Sequence, residues 1–282
     1  MYKKGSGHMK QYVVDVFSQR PFQGRSVAVC IYDESVGHDL MENIARENGS
    51  TETAFIRPLS ESGEPEHCTR WKIRWYSPSG EMKLNGGAAF AAAYVIRRYY
   101  SPDDGDITFR HSGGEILVSS GEDDPEILCT SLPEAPLREF DITQQLSGAL
   151  GVRPQHCFMG GDLFCVLKNR EELGSLSIDS ATVEMLPGEL LHCTAPSDEE
   201  GTDFFLRSFS PVKYEEEVGT CPSALTRLAP YWSGVLGKDE LRVSQLSPRT
   251  GKLTAVVSEG SVKISGRASL FAVCDILTDR LV

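Results

Sequence analysis

The chain has 282 residues and a formal net charge of −12 at pH 7, from 40 acidic and 28 basic residues. This length fits two domains of ordinary size, and a hydrophobic content of 40% allows each of them a buried core. The spread of the acidic residues argues against a nucleic-acid-binding face, which needs clustered Lys and Arg. No run approaches the ~20 apolar residues of a membrane helix, and no secretory leader is visible. We therefore expect a cytoplasmic protein that binds neither nucleic acid nor membrane.

Eight cysteines are spread along the chain, and five of them lie inside apolar, strand-like runs. A cysteine in such a run behaves as a small buried hydrophobic residue. No CxxC or CxxxH spacing occurs and the histidines are scattered, so we predict no metal site. We expect free thiols in a reducing compartment.

In chain order, residues 1–8 come first and are set apart as the remnant of a purification tag, because GSGHM at 5–9 resembles a cleaved protease site. The strand-like runs that follow are β-branched or aromatic-rich and are bounded by turn residues. In the first half they lie at 11–17, 26–32, 52–59, 70–77, 106–112 and 114–120. Strand-like runs also fill much of the second half.

Three segments have the apolar periodicity of helices, and a fourth segment is helix-like. The periodicity predicts a helix over 39–48, with Asp39 as its N-cap and Gly49 as its stop. A helix at 88–100 is apolar on nearly all sides and should therefore be buried. The remaining two are predicted at 141–151 and 223–232.

Two short segments repeat, RWYSP at 74–78 and RSFSP at 207–211. Each ends a strand-like run, precedes an acidic loop and a helix, and is then followed by paired strands that contain glycine. We interpret the repeat as two similar halves, and chance similarity is the alternative. The predicted limits are 9–121 and 122–282, with 119–128 as the linker and a last strand that can return to the first half. The arginines that begin the repeats are interpreted as structural.

The first candidate site is the helix entrance LNGGAAF at 84–90. Gly86 and Gly87 leave backbone N–H groups open at a helix start, where the helix dipole favours an anion. A tight turn that requires glycine explains the same pair equally well.

The second candidate is the segment GTCPSAL at 219–225. Ser223 could cap the helix, and Cys221 lies at its positive end, where a thiolate is favoured. Pro222 has no N–H, so this cradle is poorer than the first. A capped turn with an incidental cysteine is the alternative.

The third candidate is Glu52, which enters an otherwise apolar strand in NGSTETAFI. A buried carboxylate is easier to protonate than an exposed one, which suits general acid/base catalysis. A strand end exposed to solvent is the alternative.

Several longer stretches match known motifs, in order and without gaps. VVDVFSQRPFQGRSVAV is similar to D-V-F-x-x-x-P-F-x-G-N-P-V-A-V, and IARENGSTETAFI to I-A-R-E-M-N-L-S-E-T-T-F-V. SPSGEMKLNGGAAFAAAYV resembles T-P-x-x-E-L-P-F-A-G-H-P-T-L-G-A-A. RSFSPVKYEEEVGTCPSALTRLAPYW resembles R-F-F-A-P-x-x-G-I-x-E-D-P-V-T-G-S-A-H-C-A-L-A-P-Y-W. From about Tyr12 to Ala272, the chain therefore resembles the PhzF-like family of phenazine-biosynthesis isomerase-like proteins, within the diaminopimelate epimerase fold superfamily.

The resemblance implies an α+β fold of two pseudo-symmetric domains, each a curved sheet around a central helix, with the active site in the cleft between them. It implies cofactor-independent isomerisation or epimerisation of a small carboxylate-bearing metabolite in secondary or amino-acid metabolism. A homodimer is a further expectation from the family.

The resemblance also assigns the site residues. The family's acid/base glutamate falls on Glu52, and its Gly-His pair on Gly86 and Gly87, so the imidazole is missing. Its aspartate falls on Val218, which leaves Glu217 as the acidic neighbour.

In related epimerases and proline racemases a catalytic cysteine falls on Cys221, but its partner falls on Asn85, which excludes a two-thiol mechanism. We therefore predict Glu52, Cys221 and Glu217 as catalytic. The residues predicted to bind substrate are Asn85, Gly86, Gly87, Asp162, Val218 and Ser223.

Two other functions remain open. The same fold could guide a cyclisation or rearrangement in secondary metabolism, with the missing histidine and aspartate making room. It could also serve as a non-catalytic small-molecule-binding or interaction protein. No cofactor is predicted in either case.

Overall fold

The structure, a computed structural model, describes residues 8–49, 52–60, 65–82, 86–101, 105–212 and 216–277. Packing divides them into two units. The first unit contains the residues up to Thr130 and those from Ser265 onward, and the second is Ser131–Ile264. Both limits fall inside a strand, and each of these two strands is assigned to the unit that contains its first residue. The domain limits predicted from the sequence stay a prediction.

The first unit combines nine strands and two helices in its described residues. The strands are β1 (His8–Val16), β2 (Arg25–Ile31), β3 (Glu52–Pro58), β4 (Arg70–Ser77), β5 (Gly80–Met82), β6 (Ile107–His111), β7 (Gly114–Ser120), β8 (Leu128–Pro133) and the last strand, β18 (Ala268–Leu277). The helices are α1 (His38–Glu47) and α2 (Gly86–Tyr99). The segment predicted as a linker contains the turn between β7 and β8, which pair antiparallel.

The second unit combines nine strands with four helices in its described residues. The strands are β9 (Arg138–Glu139), β10 (His156–Met159), β11 (Leu163–Val166), β12 (Leu191–Pro196), β13 (Phe204–Phe209), β14 (Glu217–Val218), β15 (Glu240–Gln245), β16 (Gly251–Ser258) and β17 (Ser261–Gly266). The helices are α3 (Gln144–Leu150), α4 (Arg170–Ser175), α5 (Ser180–Glu184) and α6 (Pro222–Leu236).

The two units share one pattern of strand pairing. In the first unit, β1–β2, β3–β4, β4–β5 and β6–β7 are antiparallel, whereas β2–β3 and β4–β6 are parallel. In the second unit, β10–β11, β12–β13, β13–β14 and β15–β16 are antiparallel, whereas β11–β12 and β13–β15 are parallel. The repeat detected in the sequence therefore corresponds to a repeated topology. The last strand, β18, pairs with β1.

Burial explains why these segments form a sheet with a helix on each face. Along β4, Trp71, Ile73 and Trp75 are buried while Arg70 and Lys72 are exposed, as the two-residue period of a strand requires. Helix α2 packs against β1, β2 and β3, and its run of buried alanines allows a close approach. Helix α1 covers the other face through Met41, Ile44 and Ala45, which pack with Phe55 and Tyr76.

The N-caps of two helices differ from the predicted ones. Helix α1 begins at His38 with Gly37 as its N-cap, so Asp39 lies in the first turn instead of capping it. An acidic residue there is still favourable because of the helix dipole. Helix α6 begins at Pro222 with Cys221 as its N-cap, so Ser223 is not the cap. Proline suits the first helical position, because its fixed φ is already helical.

Other features follow the sequence analysis. All eight cysteines are free thiols, and only Cys274 is exposed. Gly49 follows α1 with φ +73°, as a helix stop requires. Among the described residues, the helices are too short or too polar for a bilayer span.

Candidate functional site

Glu52 is the first residue of β3 and is only 6% exposed. The alternation of a strand places it on the face opposite Phe55, which packs against α1, and therefore on the side of α2. Arg25, the first residue of β2, donates from Nε to Glu52 Oε2 at 2.9 Å, and its Nη2 pairs with Oε1. A buried guanidinium thus engages both oxygens of the predicted acid/base.

The turn before Arg25 has an unusual backbone. Phe17, Phe22 and Gly24 all have positive φ. A Cβ at Gly24 would lie 2.0 Å from the Val16 carbonyl oxygen, so only glycine fits there. Bulky residues with positive φ are uncommon, and such strain concentrates at functional sites. This turn fixes the point at which Arg25 enters the sheet.

The start of α2 is where the sequence predicts an anion cradle in the first unit. The helix begins at Gly86, and Gly87 is buried. First-turn N–H groups have no acceptor within a helix, and this first turn contains no acidic residue. Asn85 lies outside the described residues. Anion binding by Gly86 and Gly87 stays a prediction.

Glu217, in β14, holds a buried arginine. Arg207 donates from Nε to Glu217 Oε1 and from Nη2 to Oε2, both at 2.8 Å. Its Nη1 donates to the carbonyl oxygens of Leu173 and Leu176, both at 2.9 Å. Both oxygens of Glu217 are therefore committed to a structural ion pair. The predicted catalytic role of Glu217 stays a prediction, and this geometry argues against it.

The first unit contains the same ion pair at the matching positions. Arg74 donates from Nε and Nη2 to the two oxygens of Glu81, at 2.8 and 2.7 Å. Glu81 lies opposite Tyr76, and Glu217 lies opposite Phe209.

Each arginine also lies over the ring two residues further on, at 5.3 Å for Arg74 and 4.9 Å for Arg207. The repeated Arg-x-aromatic sequence therefore encodes a repeated structural cluster.

Glu52, the predicted acid/base, has no acidic counterpart in the other half of the repeat. Thr53 pairs with Tyr76, and Leu191 pairs with Phe209 at the matching place. The residue before Leu191, Leu190, therefore corresponds to Glu52, and its side chain cannot carry a proton. The second unit therefore does not repeat the glutamate that is the predicted acid/base of the first unit.

Val218, Cys221 and Ser223 lie close together at the start of α6. Val218 is buried, and its carbonyl oxygen accepts from Gln245 Nε2 at 3.3 Å. Cys221 is buried with its Sγ 3.3 Å from Ser223 Oγ. Ser223 is exposed. The N–H of Ala224, in the first turn of α6, donates to the carbonyl oxygen of Cys221. This leaves few first-turn amides for an anion at this helix, in line with its proline.

Two polar residues beside this segment were not found by sequence reasoning. Thr220 Oγ1 and Gln245 Oε1 are buried and have no partner among the residues that the structure describes. Buried polar atoms of this kind are rare and suggest an absent partner. No motif marks them, and Gln245 comes from β15, far along the chain.

Asp162 belongs to a buried hydrogen-bonded series instead of an open site. Its Oδ2 lies 3.3 Å from His192 Nε2, and His192 Nδ1 lies 2.8 Å from Ser208 Oγ. Burial raises the pKa of Asp162, but the hydrogen bond and charge of His192 outweigh it, so the pKa is lowered. Ser208 is fully buried, so the series cannot present a nucleophile. Substrate binding by Asp162 stays a prediction.

Comparison with known proteins identifies the family. The profile of the phenazine biosynthesis-like protein family matches residues 14–273. The chain belongs to this family. The family resemblance seen in the sequence is therefore confirmed. Among the described residues, no group of His, Cys, Asp or Glu side chains could hold a metal ion.

Relatives of the phenazine biosynthesis-like family match along nearly the whole chain. A Pseudomonas aeruginosa protein described as an uncharacterized isomerase is 32% identical over 260 residues, covering 92% of this chain and 95% of its own. The crystal structure of a PhzF-family phenazine biosynthesis protein from Enterococcus faecalis matches with a TM-score of 0.86 and 32% identity, covering 95% of this chain and 99% of its own.

A hydroxyproline epimerase from Agrobacterium vitis has the same fold, with a TM-score of 0.59 at 10% identity over 99% of this chain and 95% of its own. The predicted α+β, epimerase-like fold is confirmed. The chain is thus an isomerase-like member of this family.

Proposed function

We propose that the chain is a divergent, cofactor-independent isomerase or epimerase that moves a proton on a small carboxylate-bearing metabolite. Family membership supports the reaction class. We choose Glu52 as the group that moves the proton because it is buried and because Arg25 holds both of its carboxylate oxygens.

The Arg25–Glu52 pair offers a way to couple substrate binding to catalysis. A guanidinium binds any carboxylate through the same two-pronged geometry. A substrate carboxylate can therefore replace Glu52 on Arg25. The released Glu52 is then a buried base whose partner is occupied by the substrate.

The proton transfer follows from that arrangement. Glu52 takes a proton from a substrate carbon that lies next to a double bond, and the C–H electron pair moves into that double bond. The protonated Glu52 then returns the proton to the carbon at the far end of the delocalised anion, so the double bond shifts and Glu52 regains its charge. Acid/base catalysis of this kind contributes roughly 10²–10⁴-fold. The amides of Gly86 and Gly87 stabilise the developing negative charge.

Exchange of carbon-bound hydrogen with solvent tests this proposal. The protein is incubated in D₂O with cyclic and acyclic amino acids and with unsaturated acids, and loss of C–H signals is followed by proton NMR. We expect exchange with at least one compound, abolished in Glu52→Gln. The control Glu47→Gln, an exposed carboxylate at the end of α1, should keep it. Unchanged exchange in a folded Glu52→Gln protein would rule out the acid/base role.

A non-catalytic binding protein is the second candidate, favoured by the ion pair that occupies Glu52 and by the apolar Val218. Ligand affinity would then be the same in Glu52→Gln, and no compound would exchange. A cyclisation or rearrangement would instead form product without deuterium from water. The substrate, the homodimer and the cytoplasmic location stay predictions.

A further inference from the structure

The first unit contains a cavity of about 570 Å³ that the proposed function does not use. Two strands pair with the same edge of β4. Strand β6 pairs along Arg70–Lys72, and β5 pairs along Trp75–Ser77. The cavity lies at the gap between them. Its polar lining includes Arg57, Lys72, Arg74, Glu81, Arg110 and His111.

Three of these cations lie in a row across three neighbouring strands. Arg57 of β3 is directly opposite Lys72 of β4, and Lys72 is directly opposite Arg110 of β6. Like charges directly opposite one another destabilise a sheet. The row therefore works against folding unless something neutralises it.

The repeat shows that the fold does not require these cations. Since Arg74 corresponds to Arg207, Lys72 corresponds to Phe205. Phe205 lies opposite Ala195 on one side and Ser244 on the other. The matching row of the second unit is uncharged, so the basic row is a particular feature of the first unit.

The neighbouring carboxylates neutralise only part of the charge. Glu81 is held by Arg74, and Glu34, whose side chain is 84% exposed, pairs with Arg57. Glu115 lies directly opposite Arg110 in the sheet, but its side chain pairs with Arg70. Lys72 and Arg110 have no side-chain hydrogen bond within the described part of the chain. The lining thus contains four basic residues and one acidic residue, in a chain of net charge −12.

Two residues of the cavity lining also carry buried hydrogen-bond donors that lack acceptors, and a third residue offers a donor of its own. Arg57 Nε and Trp75 Nε1 are buried and unpaired within the described ranges. Burial lowers the pKa of His111, which favours the neutral ring. Its Nδ1 accepts from the Gly113 N–H at 3.1 Å, which leaves the ring proton on Nε2 as a further donor. The Nε2–H of His111 can therefore donate to an acceptor with negative charge in the cavity.

We propose that this cavity binds a small molecule with several oxyanion groups, either phosphates or carboxylates, held by Arg57, Lys72 and Arg110. The guanidinium group of an arginine can donate two parallel hydrogen bonds to the oxygens of a phosphate or of a carboxylate. The apolar part of such a molecule would contact Trp75 and Met82, which also line the cavity.

Calorimetric titration with inorganic pyrophosphate, and separately with citrate, tests the proposal and distinguishes a phosphate ligand from a carboxylate ligand. The variant is Lys72→Ala/Arg110→Ala, which removes two side chains that form no hydrogen bond among the described residues. The control, Arg153→Ala/Lys252→Ala, removes two exposed basic residues of the second unit and changes the net charge equally.

We expect 1:1 binding of at least one probe, weakened by about 10-fold or more in the pocket variant and unchanged in the control. Binding should also weaken as salt is added, because screening reduces the attraction. Glu52→Gln should bind the probe normally, which separates this site from the proposed catalysis. Absence of saturable binding by both probes, or equal weakening in both double variants, would overturn the proposal.

Discussion

Arg25 and Glu52 form a buried ion pair in which both carboxylate oxygens are engaged, with a 2.9 Å bond from Nε to Oε2. Their side chains are only 11% and 8% exposed. Removing one partner of such a pair leaves an uncompensated buried charge. We expect Arg25→Ala to lower the free energy of unfolding by about 3–5 kcal/mol. Urea denaturation measures it.

The double variant Arg25→Ala/Glu52→Ala is the informative control, because it removes both charges together. Its loss of stability should be smaller than the sum of the two single losses. Additive losses would show that the two side chains do not interact in solution.

Arg25→Lys should separate substrate binding from chemistry. Lysine keeps the charge but loses the two-pronged geometry. If Arg25 receives the substrate carboxylate, KM should rise by about 10-fold while kcat changes less. Measurement needs a substrate from the exchange screen. A fall in kcat with unchanged KM would place Arg25 outside substrate binding.

Glu217→Gln should affect stability far more than catalysis. The substitution leaves Arg207 buried with a neutral partner, so we expect a loss of about 1–3 kcal/mol. Solvent exchange of a substrate should persist. Glu189→Gln, an exposed carboxylate in the same unit, is the control and should leave stability unchanged. Loss of exchange at unchanged stability would instead favour the catalytic role.

The thiols should react in the order of their exposure. Cys274 is the exposed cysteine, and Cys221 is buried with its Sγ beside Ser223. Alkylation of the folded protein with iodoacetamide, followed by peptide mass spectrometry, should label Cys274 first. Early labelling of Cys221 would mean that its thiolate is accessible and activated.

Asp203 should contribute to acid sensitivity. Burial raises its pKa, but hydrogen bonds from Arg242 and Lys238 outweigh burial and lower it from 3.8 to about 2. A carboxyl group whose pKa is lowered by folding stabilises the folded state at pH values above its pKa in the unfolded chain. This contribution is lost as the pH falls through about 2, the pKa in the folded state.

The stability difference between the wild type and Asp203→Asn should therefore be constant above about pH 5 and shrink towards pH 2. Chemical denaturation at several pH values measures it. The exposed Asp141→Asn is the control. A difference that does not depend on pH would contradict the assigned pKa.

The sequence by itself determined the family, the fold class and the repeat. Residues that are close in the chain carry these signals: the alternation along 70–77, the alanines of α2, and the two Arg-x-aromatic-Ser-Pro segments. Glu52 was found in the same way, because an acidic residue in an apolar strand is visible locally.

Only the tertiary structure decided which side chains meet. Arg25 and Glu52 are separated by 27 positions and meet because β2 and β3 pair in parallel. The row of Arg57, Lys72 and Arg110 likewise exists only through the register of three strands. The register with which strands pair is set by packing across the whole sheet, so it cannot be predicted from the local pattern of a single sequence.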